Sequence, residues 1–139
     1  MTEIAKPLPQ PTIDSAPFWE YCRQHELRMQ KCQDCGHVRY PPNVLCPKCL
    51  SEKASWEELS GRGTVYSWII FHQIYHPAFA ADVPYPVAIV ELDEGPRLLT
   101  NIVLCPVDQI SIGLPVEVVF EDMTESVALP KFKPLVVPI

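Results

Sequence analysis

Two cysteine pairs, Cys32-Gln33-Asp34-Cys35 and Cys46-Pro47-Lys48-Cys49, stand ten residues apart in the first third of the chain. A Cys-x2-Cys turn sets two thiolates one metal-ligand bite apart, and two such turns facing each other complete a tetrahedron around one ion. Gly36 after the first pair and Pro47 inside the second suit the tight backbone turns this needs. Four thiolates close the coordination sphere and leave no position for water or substrate. Cys32, Cys35, Cys46 and Cys49 are therefore expected to hold a structural ion and not to perform chemistry. Zn2+ is the expected ion, and Fe is allowed because it accepts the same four thiolates. Disulfides would need an oxidising compartment, yet the first ten residues mix acid, base and proline with no apolar core, so a cytoplasmic chain is expected. A thioredoxin-like redox motif would use one Cys-x2-Cys at a helix start, not two in knuckles. Cys22 and Cys105 fall outside the pattern and read as buried, unreactive thiols.

The rest of the inventory lacks a reaction centre. The histidines are His25, His37, His72 and His76. His37 neighbours a coordination sphere that is already full, and His72 ends a strand-like run. No serine sits in a nucleophile elbow, and no glycine-rich loop precedes a helix to cradle phosphate. Glu91, Asp93 and Glu94 surround a turn and read as a solvated hairpin tip. No catalytic residue is expected, and the chain is not expected to be an enzyme on its own. One segment stands out. From Gln73 to Tyr85 a long connection carries Tyr75, His76, Phe79 and Tyr85, whereas connections are normally short and polar. Either it folds back over its own barrel mouth, or it forms a docking surface for another subunit or a wall for an acyl chain.

The balance of 17 acidic against 11 basic residues, a net charge of −6, argues against nucleic acid, whose phosphates demand clustered Lys and Arg. No apolar run approaches the length of a membrane span. Sixteen prolines, about twice the usual share, mark strand borders and extended tails. The expected fold class is mainly β: an N-terminal helix and zinc ribbon, then a five-stranded OB-type Greek-key barrel, with a plain β-sandwich as the alternative.

Residues 1–13 read as an extended tail. Residues 14–60 hold the helix and ribbon: Asp14 or Ser15 as cap, Pro17 in the first turn, and an end near His25. Leu27 and Met29 then alternate with Arg28 and Gln30 in a short strand. Val38 and Tyr40, and Val44 and Leu45, are the expected paired arms of the knuckles, and Trp56 to Leu59 a strand leaving them. Gly61-Arg62-Gly63 marks a boundary. Residues 61–132 are the barrel, with strands over Thr64–His72, Pro86–Leu92, Arg97–Leu104, Val116–Glu121 and Val127–Phe132, and a hairpin at Asp93-Glu94-Gly95. Cys105 to Gly113 is too short for the helix such barrels often carry between strands three and four, so the N-terminal helix is expected to cover the barrel instead. Residues 133–139 read as a C-terminal tail.

Taken together, Phe18-Trp19, the two knuckles, Tyr40-Pro41-Pro42, Trp56, Gly61-Arg62-Gly63-Thr64-Val65-Tyr66-Ser67 and Val83-Pro84-Tyr85 carry a resemblance that covers most of the chain. Val90-Glu91-Leu92-Asp93-Glu94-Gly95, Gly113-Leu114-Pro115-Val116, Phe120-Glu121-Asp122 and Leu129-Pro130-Lys131-Phe132 complete it. The chain resembles the acyl-CoA-associated OB-fold proteins with an N-terminal rubredoxin-like zinc ribbon, a family catalogued as a domain of unknown function. That resemblance implies a small, non-catalytic partner of thiolase-like enzymes, or of acyl-CoA hydratases or aldolases, in a hetero-oligomer. The large subunit would hold the catalytic residues, and this chain would scaffold it and help form the passage for the acyl-CoA pantetheine arm. A freestanding acyl-CoA-binding carrier is the alternative. Under the implied role a coenzyme A thioester is a ligand shared with the partner. Arg39, Arg62, Lys131 and Lys133 are candidates to assist its phosphates, most of whose countercharge the acidic chain leaves to the partner; a solvated surface charge is the ordinary reading of each.

Overall fold

The computed structural model describes residues 6–135. The tail and C-terminal assignments at residues 1–5 and 136–139 lie outside the described residues. α1 runs Ala16–Arg23, with Pro17 in its first turn where a missing N–H costs nothing. Ser15 is the N-cap residue, but its hydroxyl does not cap: Ser15 Oγ accepts from the Thr12 amide at 2.8 Å and so shapes the turn before the helix. Phe18 and Cys22, one turn apart, form its buried face. The helix stops at Gln24, and His25 takes a left-handed conformation (φ 63°) that turns the chain into the first strand.

β1 (Arg28–Cys32) is the middle of a three-stranded antiparallel sheet, flanked by β2 (Val38–Arg39) and β3 (Ala54–Glu58). The apolar residues expected to point inward do so: Leu27 and Met29 are buried. Val44 and Leu45 do not form the expected strand arm and are exposed. The preceding Pro41 and Pro42 have no N–H to give a ladder, and the Asn43 side chain takes the Val44 amide at 2.7 Å.

The second sheet comprises β4 (Arg62–Phe71), β5 (Tyr85–Leu92), β6 (Arg97–Thr100), β7 (Pro115–Asp122) and β8 (Ala128–Pro134), all antiparallel in the order β6-β5-β4-β7-β8. Its two ends meet where Ile102, just beyond β6, lies parallel to Phe132 of β8. The sheet thus curls on itself as a five-stranded OB-type barrel. A bulge between Val65 and Ser67 bends β4. The Asp93-Glu94-Gly95 hairpin closes with the Gly95 amide on Leu92 O, and Gly95 supplies the positive φ of 116°.

Several boundaries differ from the sequence expectation, by one or two residues at β4 (Arg62–Phe71) and β7 (Pro115–Asp122), and three other differences have a plain physical reason. β6 ends at Thr100 because the Asn101 side chain, donating to Pro86 O at 2.9 Å, takes over from the backbone ladder as the chain crosses to β8. β5 begins at Tyr85, which therefore belongs to a strand and not to the connection before it. β8 continues through Lys133 and Pro134, assigned above to the tail, because Lys133 lies opposite Glu117 of β7. Between β6 and β7 there is only a short 3-10 turn at Val107–Gln109.

One core joins the two sheets. Phe18, Cys22, Leu27 and Met29 from the helix and ribbon pack in the same cluster as Val65, Val90, Leu98, Ile102, Val116 and Phe132 of the barrel. Side chains of this size each contribute about 1.5–3 kcal/mol when fully buried. α1 lies against β8. His25 adds a polar clasp: its ring stacks on Phe120, centroids 5.2 Å apart, and its Nε2 lies 2.8 Å from Asp122 Oδ1. Among the described residues no helix is long and apolar enough to cross a membrane.

At Gly63 the β4–β5 pairing leaves no room for a side chain: an added Cβ would lie 2.3 Å from Glu91 O. Backbone cannot yield as a flexible side chain would, so Gly63→Ala is expected to lower stability by about 2–3 kcal/mol. The check is the urea midpoint of the two proteins; an unchanged midpoint would mean the strands separate there at no cost.

Candidate metal centre and barrel groove

The four knuckle sulfurs converge, all lying within 4.8 Å of one another. Cys32 Sγ is 3.5 Å from Cys49 Sγ, and Cys35 Sγ is 3.6 Å from Cys46 Sγ. Sulfurs held at 2.3 Å from a central tetrahedral zinc would be about 3.8 Å apart, whereas a disulfide needs about 2.05 Å. The donor set and its spacing therefore fit one metal ion, and all six cysteines are free. The two turns repeat each other. Gly36 N donates to Cys32 O, and Leu50 N donates to Cys46 O. The residue after each pair is left-handed, Gly36 at φ 79° and Leu50 at 64°. Gly36 meets the need expected from sequence; Leu50 adopts the same geometry at a cost of about 1–2 kcal/mol.

Hydrogen bonds prepare two of the four sulfurs, those of Cys32 and Cys46, for a cation. The Cys35 amide donates to Cys32 Sγ and, with the Asp34 amide, outweighs burial to bring the Cys32 thiol down to about 6. The Lys48 amide donates to Cys46 Sγ at 3.4 Å. Ser51, beyond the second knuckle, donates its hydroxyl to Asp34 of the first, and the Gln33 amide donates to Lys53 O at 2.9 Å. Cys22 differs in kind: fully buried, its thiol is pushed up to about 12 by desolvation. Cys105 lies apart, half-buried, with Sγ on Pro106 O.

Arg39, read from sequence as a surface charge and a candidate for phosphate, is only 4 % exposed and braces the ribbon. Its Nε donates to Gln30 Oε1 at 3.1 Å and its Nη2 to Asn43 O at 2.8 Å, while Nη1 has no partner among the described residues. The register that sets Gln30 opposite Arg39 explains this placement. A guanidinium consumed in this way cannot receive a ligand from solvent. Two other candidate cations are also paired. Lys131 bonds Glu121, and Lys133 lies 3.6 Å from Glu117. Arg62, at the start of β4, is exposed and makes no ion pair among the described residues.

The aromatic connection borders a groove of about 610 Å3 on the outside of the barrel, over the seam where β6 approaches β8. Phe79 and Asp82 of the connection, Tyr85 and Val87 of β5, Leu99 of β6, and Leu129 and Lys131 of β8 line it. Tyr85 sits beside Phe71, with ring centroids 5.5 Å apart. Tyr75 stands edge-on to Phe71 and is 77 % exposed, outside the groove. His76 does not face the groove either: its Nδ1 accepts from the Ala78 amide and caps the 3-10 turn Pro77–Phe79. Sequence reasoning missed Lys6. It crosses from the N-terminal segment to Asp82 at 2.7 Å, with its ammonium 5.6 Å from the Phe79 ring centroid, and so closes one rim. No local pattern signals so distant a pairing. A smaller cleft of about 170 Å3 under Phe18, Trp19 and Tyr40 shares Leu99, Thr100, Asn101, Leu129 and Lys131 with the groove, which extends it toward α1.

Comparison with known proteins agrees with both halves of this geometry. Residues 19–54 match the family model described as ChsH2, rubredoxin-like zinc ribbon domain, and residues 56–121 match ChsH2, C-terminal OB-fold domain. The chain is 42 % identical over 130 residues to a probable enoyl-CoA hydratase alpha subunit of Thermomonospora curvata, covering 92 % of this chain and 40 % of that protein. It thus spans about two fifths of that relative's length. It is 40 % identical over 110 residues to a DUF35 domain-containing scaffold protein of Methanothermobacter thermautotrophicus, covering 77 % of this chain and 81 % of the other. It is 33 % identical over 76 residues to the benzoylsuccinyl-CoA thiolase subunit BbsA of Geobacter metallireducens, covering 55 % and 49 %. Among solved structures, a chain of the Ltp2-ChsH2(DUF35) aldolase superposes with a TM-score of 0.84 at 41 % identity, covering 92 % of this chain and 99 % of that one.

Removing one thiolate should dismantle the ribbon. Cys46→Ser is expected to abolish stoichiometric metal binding and to unfold residues 28–58, since a structural zinc supplies on the order of 10 kcal/mol to such small modules. Metal analysis with circular dichroism checks this; a Cys46→Ser protein that keeps one ion per chain would show that Cys46 is not a ligand.

Proposed function

Because the chain belongs to the family of DUF35 domain-containing scaffold proteins with a zinc ribbon and an OB fold, we propose that it is a non-catalytic accessory subunit of a thiolase-type enzyme or of a related acyl-CoA hydratase or aldolase. The large subunit of that assembly carries the reacting groups. This chain braces it and supplies one wall of the passage for the acyl and pantetheine portions of the substrate.

The observation that carries this reading is the character of the groove. Its charged residues pair off, Lys6 with Asp82 and Lys131 with Glu121, and most of the other lining side chains are apolar. Such a surface can hold and orient an uncharged chain, but it offers no free nucleophile or base to act on it. The metal centre supports the same division of labour. Cys32, Cys35, Cys46 and Cys49 would hold a zinc ion that crosslinks the ribbon, with every coordination position filled by this chain. The phosphates of coenzyme A find little countercharge here, because Arg39 is buried and Lys131 and Lys133 are paired, so the partner supplies it. Among the four cations considered, Arg62 alone is left to assist. The names of the relatives, hydratase alpha subunit at 42 % identity, aldolase at 41 % and thiolase subunit at 33 %, support the class of partner.

Two measurements test the proposal. Tagged chain purified from its native host should bring down a thiolase-, hydratase- or aldolase-type subunit, and the isolated chain should turn over no acyl-CoA. Turnover by the chain alone would sink the reading, and micromolar binding of an acyl-CoA without any partner would favour a freestanding carrier. Phe79→Ala, which opens the groove, and Tyr75→Ala, which strips the exposed ring beside Phe71, should leave the melting temperature within about 2 °C. Both should weaken assembly or turnover of the complex. Unchanged turnover in both variants would remove the connection from the passage.

A further inference from the structure

We propose that the free edge of β4, from Tyr66 to Phe71, is the docking site for an extended strand of the partner enzyme subunit, which joins the barrel sheet as an additional strand. This rests on the accessory-subunit reading and locates its interface.

β7 pairs with β4 only over Arg62–Thr64. Val65 is the last residue engaged on that side, taking the Gly113 amide on its carbonyl and donating to Leu114 O. The bulge at Tyr66 follows, and from Ser67 to Phe71 the strand pairs with β5 alone among the described residues. The direction of the unused groups follows from the register. Ile70 lies opposite Pro86, which has no N–H, and whose carbonyl already accepts from Asn101 Nδ2. The N–H and C=O of Ile70 therefore face away from β5, and by the alternation of a strand so do those of Trp68. Among the described residues this leaves a row of unused donors and acceptors on an open strand edge. Proteins usually protect such edges with Lys, Pro or a covering loop. Tyr66-Ser67-Trp68-Ile69-Ile70-Phe71 contains no charge and no proline.

The side chains beside the edge define what suits it. On the outer face Ile69 is 61 % exposed and lies opposite Val87, Phe71 lies opposite Tyr85, and Ile89 joins Ser67 to Leu99, itself 69 % exposed. Arg97 is neutralised by Glu91 at 3.0 Å and rests on the Tyr66 ring, 3.9 Å from its centroid. An uncharged strand that carries apolar residues on the same face would satisfy the backbone row and extend the Ile69–Phe71 row at once. A second copy of this chain fits less well, since each copy carries a net charge of −6 and the two would repel. The partner's strand is the occupant that meets both conditions.

The test is backbone hydrogen exchange on the isolated chain and on its complex with the purified companion subunit. In the isolated chain the Trp68 and Ile70 amides should exchange rapidly, and in the complex they should slow by about tenfold or more. Ile70→Pro removes the outward N–H together with a half-buried aliphatic side chain, whereas Ile69→Lys leaves the backbone donors intact and places a charge on an exposed position. Both should keep the metal, and Ile69→Lys the melting temperature of the wild type as well, while losing the companion. If wild-type chain captures no companion, the accessory-subunit reading fails and this interface with it. If the companion binds, both variants still capture it and the Tyr66–Phe71 amides gain no protection, the accessory reading stands and the edge is ruled out. Self-association of the isolated chain that Ile70→Pro abolishes would assign the edge to a second copy and overturn the proposal.

Discussion

Four sulfurs around one cation are the constraint on which the ribbon depends. β2 is two residues long, and β1 and β3 five each, too little ladder to hold the nineteen residues of connecting chain (33–37 and 40–53) in place. The thiolates repel one another unless a cation sits among them, and once it does they fix both knuckles at once. Amide donors to Cys32 and Cys46, and the Ser51–Asp34 bond between the knuckles, set the sulfurs at a spacing that suits the ion. The ribbon in turn delivers Leu27 and Met29 to the core that Phe18 and Cys22 share with the barrel. A crosslink at one end of the molecule thereby supports packing at the other.

The barrel divides its two faces differently from an ordinary half-solvated sheet. Its inner face is filled by Val65, Ala88, Val90, Leu98 and Phe132. Its outer face, where polar residues would be expected on an isolated chain, carries Ile69, Val87, Ile89 and Leu99 in register. Strands apolar on both faces are characteristic of sheets covered on both sides. The groove and the edge of β4 belong to this same outer surface, so under the proposed role a chain-like ligand and a partner strand would be held side by side.

Much of this was legible in the residues. The knuckle spacing announces a closed metal site, the Pro17-led segment a helix, and the β-branched runs five strands with the right hairpin. What escaped depends on contacts between distant segments. Arg39 has the composition of a surface residue, and only the β1–β2 register brings Gln30 and Asn43 to its guanidinium. Val44 and Leu45 look like strand residues, but two prolines before them remove the donors a strand would use. β6 is shorter than its apolar run because a single side chain, Asn101, takes over the pairing. Lys6 reaching Asp82 joins positions far apart in sequence, beyond any local periodicity.

The cross-strand pairs on the barrel wall have a kinetic consequence. Lys131 and Lys133 are held by Glu121 and Glu117, so these cations cancel locally while unpaired acids elsewhere set the field felt at a distance. A negative field of this kind steers encounters with a basic surface and is felt only over about 10 Å at 0.1 M salt. With a basic partner surface, association would therefore slow as ionic strength rises, while the lifetime of a complex held by apolar contact would change little. Approach and retention would then be controlled by different parts of one small molecule.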